Sequence, residues 1–260
     1  SGVTAAYRLG WMVLLLLPVV LLRCRAELRR VTARDLVLCG ASGVLLALHF
    51  LTWFESLKRT SVASSTVLVS TEVIFTALGF ALFLHGKIPR LGVWAILLAF
   101  GGSALLALSG GGGAGELSGN LLALAAASAA AVYTLIGRIQ RGHLSTTVYT
   151  FLTYLACFLT LLLGTAAAGT PLTGYGGREW LIGLALAVLC TLLGHSLFSW
   201  CLKYLSPSYV SAAKLCEPVF SSLAAIPLFG EVPGPLQLAG GAAVLGAVLL
   251  YTWAEREKTP

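Results

Sequence analysis

Ser61–Leu84, SVASSTVLVSTEVIFTALGFALFL, and Ser206–Phe229, SPSYVSAAKLCEPVFSSLAAIPLF, are the two stretches whose reading decides the fold. Each is apolar for about the length of a bilayer crossing, and each holds one carboxylate near its middle, Glu72 and Glu217. A charged side chain halfway across a bilayer costs at least about 2.5–3.5 kcal/mol on insertion scales, so it is seldom there without a function. Two carboxylates at matching places point to a duplicated membrane protein with a polar pathway at its midplane.

The rest of the chain agrees. Of its 260 residues 58% are hydrophobic and only 10% are charged, against roughly 25% charged in a soluble domain. Apolar runs near the ~20 residues that cross the hydrocarbon core recur at Val3–Leu22, Asp35–Ser56, Ser61–Leu84, Leu91–Ser109, Ser118–Gly137, Thr146–Ala168, Trp180–Leu202, Ser208–Phe229 and Leu236–Trp253. These nine spans leave almost no sequence for a soluble domain.

The net charge of +7 does not indicate nucleic acid, because Lys and Arg sit between the spans as topology signals do. With the first loop (Arg23, Arg25, Arg29, Arg30, Arg34) on the cytoplasmic side, alternation also places Lys87, Arg90, Arg138, Arg141, Lys203, Arg256 and Lys258 there. Only Lys58, Arg59 and Arg178 fall outside. This bias predicts a multi-pass protein of the cell (inner) membrane with a cytoplasmic C-terminus. It also makes an anionic membrane surface the expected partner of the first loop. The six cysteines form no Cys-x-x-Cys, and five lie in apolar spans, so they read as small buried hydrophobes rather than a metal or disulfide framework.

Shifted by about 144 residues, the chain aligns with itself. Arg34-Asp35 meets Arg178-Glu179, Leu57-Lys58 meets Leu202-Lys203, Glu72–Phe75 meets Glu217–Phe220, and Gly86–Pro89 meets Gly230–Pro233. Ser118–Gly137 alone has no counterpart, which would precede Val3. The expected plan is therefore five spans per half, ten in all, with the first missing. An odd number per half forces opposite orientations, the inverted-repeat plan of many secondary transporters. The expected domains are a first repeat at 1–109, a Gly-rich linker at 110–117, a second repeat at 118–254 and a short cytoplasmic tail at 255–260. The linker lacks the lysine of a phosphate-binding loop.

Leu202-Lys203-Tyr204-Leu205-Ser206-Pro207, Glu217-Pro218-Val219-Phe220 and Leu228-Phe229-Gly230-Glu231 resemble the second-half signature of the EamA family, within the drug/metabolite transporter superfamily. Ala5-Ala6-Tyr7-Arg8 resembles that family's second helix, and the resemblance covers essentially the whole chain. It implies a helix bundle of ten helices, a central cavity between the halves, and alternating access for small metabolites, often by export. Val73 stands where the family often has Pro, so the third span is expected to be less kinked at Glu72.

Ten residues are candidates for substrate binding or coupling. Glu72 is either a proton-coupling site or substrate counter-charge, or a neutral hydrogen-bonded brace. Glu217 has Lys214 one helical turn before it, within reach for an internal ion pair. His49 and His195, on corresponding helices, are proton relays or satisfied core groups. Trp53, Trp200, Tyr133 and Tyr149 are available to stack on a substrate or hold a cation, whereas Trp11, Trp94, Trp180 and Trp253 read as interface anchors. Arg8 either attracts anions or pairs with a helix end or headgroup.

No catalytic motif of the metalloprotease, nucleophile-elbow or dithiol kind is present, so no enzyme and no cofactor are expected. The reading is an all-α integral membrane protein, monomeric or homodimeric. It would act as a secondary active transporter exporting small metabolites such as amino acids or related organic solutes, driven by a proton or solute gradient. The alternatives are a non-transporting membrane sensor or assembly subunit, or an intramembrane enzyme on a lipid-linked substrate.

Overall fold

The computed structural model describes residues 2–85, 89–109, 114–214, 226–228, 230 and 232–256. Regular structure among them is entirely helical. In chain order the helices are α1 (Gly2–Arg23), α2 (Arg25–Leu28), α3 (Ala33–Ser56), α4 (Val62–Val69), α5 (Glu72–Phe83), α6 (Arg90–Ser109), α7 (Ala114–Gln140), α8 (Thr146–Ala167) and α9 (Gly177–Leu186). A π-helical stretch, Ala187–Ser196, follows, then α10 (Leu197–Cys201), α11 (Pro207–Ala213) and α12 (Pro235–Arg256).

Seven helical segments among the described residues are long and apolar enough to cross a membrane: Gly2–Arg23, Ala33–Ser56, Ser64–Phe83, Gly115–Gln140, Thr146–Ala167, Gly177–Cys201 and Pro235–Ala254. Arg90–Ala99 of α6 is a shorter apolar stretch. The expected span Ser208–Phe229 lies largely outside the described residues, as does Glu217 within it. Surface chemistry supports a membrane setting. Leu22, Phe83, Leu163 and Leu82 are 83%, 76%, 72% and 73% exposed, an arrangement that water penalises and hydrocarbon does not. The protein is an all-α, multi-pass membrane protein.

The chain forms two compact units, each drawn from both halves of the sequence: residues 1–51 with 132–206, and 52–131 with 207–260. In unit 1, α1 packs along α8, α9 and the π-helical stretch. Ser145 starts α8 by accepting a hydrogen bond from the Val148 N–H at 3.2 Å, which satisfies one of the orphan donors of the first turn. Gly43 lets α3 lie directly on α8: a Cβ there would fall 2.5 Å from Ala156 Cβ and 2.7 Å from the Cys157 nitrogen. Small residues permit such close approach where lipid provides no hydrophobic drive between helices. Trp180 stacks on Tyr7 at 4.4 Å, and its carbonyl accepts from Trp11 Nε1, which pins α9 to α1.

In unit 2, α6 packs along α12, and α11 packs on α5 and α12. Gly102 plays the part of Gly43, with a Cβ position 2.8 Å from the Gly240 carbonyl oxygen and 2.9 Å from Ala243 Cβ. Val73, Ile74, Ala77, Ala95, Ile96, Ala99, Ala247, Val248 and Tyr251 form its main core. Ser61 caps α4 through the Ser64 N–H, and Gln237 Nε2 of α12 bonds to both Ser61 and Ser64.

Candidate functional site

The stretch Ser61–Leu84, expected as one span, is two helices joined at Ser70-Thr71. The hydroxyls explain the break. Thr71 Oγ1 donates to the Leu68 carbonyl at 2.6 Å and Ser70 Oγ to the Thr66 carbonyl at 2.9 Å, local bonds that compete with the helical ladder. The chain continues through three-residue bonds, Val73 N–H to Ser70 O and Ile74 N–H to Thr71 O. The interruption thus arises without a proline at position 73.

Its consequence is to make Glu72 the first residue of α5, where the helix dipole favours a negative charge. Glu72 is buried, at 5% exposure. Lys214, just past the end of α11, donates from Nζ to Oε1 at 2.8 Å and Oε2 at 3.0 Å. Ser211, one turn before Lys214, donates to Glu72 Oε1 at 3.3 Å and lies 3.4 Å from Thr76 Oγ1. A small pocket opens on this pair, lined by Trp53, Thr66, Val69, Ser70, Glu72, Ser211 and Lys214. All of these belong to unit 2. A carboxylate, an ammonium, an indole and several hydroxyls converging on one concavity are able to receive a ligand bearing both charges.

Unit 1 holds a second polar cluster. Arg8, 4% exposed, donates from Nε to Thr191 Oγ1 at 2.6 Å and lies over the Phe50 ring at 4.5 Å. Phe50 meets His195 edge to face at 5.5 Å, His195 meets Tyr133 at 6.1 Å, and Tyr133 OH lies 3.2 Å from Ser199 Oγ. Tyr154 OH pairs with Ser196 Oγ at 3.0 Å.

The π-helical stretch makes this possible. In an α-helix Ala187 and Ser196, nine positions apart, would be two and a half turns apart and face opposite ways, yet both are buried, at 0% and 9% exposure. The wider turn of i→i+5 bonding returns them to one face. Thr191 and Ser196 thereby meet α1 and α8 respectively.

Of the ten residues singled out in the sequence, Glu72, Lys214 and Trp53 therefore meet at the unit 2 pocket, and Arg8, His195 and Tyr133 meet in unit 1. His49, buried in unit 1, lies with its ring 5.3 Å from that of Phe50. Tyr149 is fully buried, its OH 2.9 Å from Ser42 Oγ. Trp200 is 49% exposed and packs on Tyr204.

Sequence reasoning missed Ser211 and Thr76. The available signal was spacing: Ser211 is three residues from Lys214 and Thr76 four from Glu72, each on its partner's helical face. It also missed Asn120 of α7, 1% exposed, whose amide atoms have no hydrogen-bond partner among the described residues. Among those residues no cluster of three or more His, Cys, Asp or Glu could hold a metal.

A bundle of lipid-exposed helices with buried charges is the arrangement of a membrane transport protein, and comparison with known proteins agrees. Residues 2–108 and 117–253 match the EamA-like transporter family, to which the chain belongs, within the drug/metabolite transporter superfamily. It is 24% identical over 207 residues to the pseudopaline exporter CntI of Pseudomonas aeruginosa UCBPP-PA14, covering 80% of this chain and 72% of that one. It is 28% identical over 233 residues to a probable terminal-alkyne amino-acid exporter of Streptantibioticus cattleyicolor, covering 85% and 75%. To the threonine/homoserine exporter RhtA of Escherichia coli K12 it is 26% identical over 167 residues, 64% of this chain and 56% of that one. A solved crystal structure, 20% identical, shares the fold with a TM-score of 0.64 over 99% of this chain and 89% of its own. These named relatives are exporters rather than enzymes.

Proposed function

We propose that the protein is a secondary exporter of zwitterionic small metabolites, amino acids or their derivatives, working by alternating access in the inner membrane. The observation that carries this is the buried Glu72–Lys214 pair lining a pocket beside Trp53. A substrate ammonium replaces Lys214 at the Glu72 carboxylate, and a substrate carboxylate takes up Lys214. The pair is thereby exchanged for two others, so no charge is left bare in a low-dielectric site. Trp53 covers the substrate's apolar part, and Ser211 and Thr76 keep hydrogen bonds on the carboxylate side. Protonation of Glu72 on the emptied carrier is the coupling step. Arg8, Thr191, Tyr133 and His195 hold the π-helical stretch in register.

The wider frame is that of the sequence reading: two inverted repeats at 1–109 and 118–254 and a cytoplasmic C-terminus. That relatives are named as exporters of pseudopaline, a terminal-alkyne amino acid and threonine/homoserine supports the substrate class. The test is efflux from proteoliposomes loaded with a panel of amino acids, their amides and their decarboxylated amines, with and without a pH gradient. Zwitterions should leave and both singly charged analogues should not. Equal efflux of amine and amino acid would overturn the assignment.

A further inference from the structure

Residues 23–34 join α1 to α3 and carry five arginines, Arg23, Arg25, Arg29, Arg30 and Arg34, every one exposed. The segment and the start of α3 also hold two acids, and both are turned inward. Glu27 Oε1 accepts the Ser145 N–H at 2.6 Å. Asp35, 6% exposed, accepts from the Thr32 N–H and hydroxyl at 3.0 and 2.7 Å and from Gln140 Nε2 at 3.1 Å, and pairs with His143 Nε2 at 2.8 Å. Among the described residues no ion pair reaches any of the five arginines.

Two other arginines at this end of unit 1 behave differently. Arg138 Nη1 donates to the Leu202 carbonyl at 2.6 Å, and Arg141 donates to the carbonyls of Ser199 and Leu144. Those two hold the fold. The five on the loop do not, and their charge is unopposed.

Depth is fixed by the neighbours. Leu21 and Leu22 immediately before the loop are 52% and 83% exposed, and Leu36 and Val37 just after it are 52% and 70% exposed. Lipid-facing apolar side chains on both sides place the arginines where hydrocarbon gives way to headgroups. The loop is also anchored, because its two acids tie it to the α7–α8 connection.

We propose that residues 23–34 form a binding surface for anionic phospholipid headgroups, beyond any role in setting topology and independent of the transport reading. Phosphate is the matching chemistry: its negative charge attracts exposed cations, and each basic residue near an anionic leaflet raises affinity about fivefold.

The full chain would be reconstituted in phosphatidylcholine bilayers with a minor fraction of phosphatidylglycerol, and co-purifying lipid measured by native mass spectrometry. Enrichment of phosphatidylglycerol is expected. It should fall at least about tenfold in Arg25→Gln/Arg29→Gln/Arg30→Gln and persist in the corresponding triple Lys variant. Persistence in the Gln variant, or loss in the Lys variant, overturns the proposal. Should the Gln variant fail to insert, the wild type decides. Its enrichment must weaken as salt rises, as exposed charges are screened within about 10 Å at 0.1 M, and salt-independent enrichment rejects the surface.

Discussion

In unit 1 the buried cation Arg8 is closed in by Thr191 and the face of Phe50, whereas in unit 2 the buried anion Glu72 shares its ion pair with a pocket. Both groups are 4–5% exposed and both sit in lipid-facing bundles, so burial alone does not separate structure from function. What separates them is the other side of the charge. The Arg8 contacts described tie three helical segments together. The Glu72 carboxylate contributes to a concave wall shared with Lys214, Ser211 and Trp53, which on the proposed reading a ligand rearranges. The expected consequence is that unit 1 charges govern stability and unit 2 charges govern transport.

The largest effect should follow Glu72→Ala. The substitution takes the carboxylate away from the part-buried Lys214 ammonium, whose side chain is 17% exposed, and breaking a buried pair costs up to about 3–5 kcal/mol. Thermal unfolding in detergent should drop markedly. The companion Glu72→Leu/Lys214→Met removes both charges. It should recover most of that stability while remaining dead in proteoliposome efflux. Recovery of efflux along with stability would show that the pair is only a brace. Glu217→Gln is expected to keep the fold and lose gradient-driven transport, and full activity in it would remove that residue from coupling.

Crowding the helix contacts should have the next largest effect. Gly43→Leu and Gly102→Leu each push a side chain into a helix contact where even a Cβ is too close. Overpacking costs about 1–3 kcal/mol, occasionally more. Similar losses of melting temperature are expected in both variants, since the units use the same device. An unaffected Gly102 variant would mean that α6 and α12 can separate without cost.

These glycines also show what the sequence displayed and what it hid. Seven of the nine expected spans were legible because hydrocarbon thickness fixes their length and excludes charge, and Glu72, Lys214 and Arg8 stood out for the same reason. Which residues met was not legible. Lys214 is 142 residues from Glu72 and bonds to it in the fold, whereas the pairing expected with Glu217 lies outside the described residues. The π-helical stretch was equally hidden. Ala187–Ser196 carries no proline or unusual composition, and the change of register is set by what α1 and α8 offer to Thr191 and Ser196. The break before Glu72 had a local signal in Ser70-Thr71, whose hydroxyls compete for helix carbonyls even where no proline follows.

Arg8→Met should have a smaller effect, about 2 kcal/mol, because it removes a charge-assisted hydrogen bond and a cation–π interaction together. Efflux per folded molecule should stay within about twofold. If efflux disappears at unchanged melting temperature, unit 1 contains a transport site and the contrast between the units fails.

The smallest effect isolates burial from charge within a single unit. Glu55, like Glu72, pairs with a lysine at 2.9 Å, and Arg59 joins it at 2.9 Å. Its side chain is 35% exposed against 7% for Glu72, and that of Lys58 is 56% exposed. Exposed pairs contribute roughly 0–1 kcal/mol because water already solvates both members. Glu55→Gln should therefore shift melting by no more than a degree or two and leave efflux intact. Since residue type and bond length nearly match those at Glu72, comparing Glu55→Gln with Glu72→Gln measures how far burial raises the cost of breaking such a pair. A large loss at Glu55 would mean that exposure is not what distinguishes the pairs, and the transport role of Glu72 would need another basis.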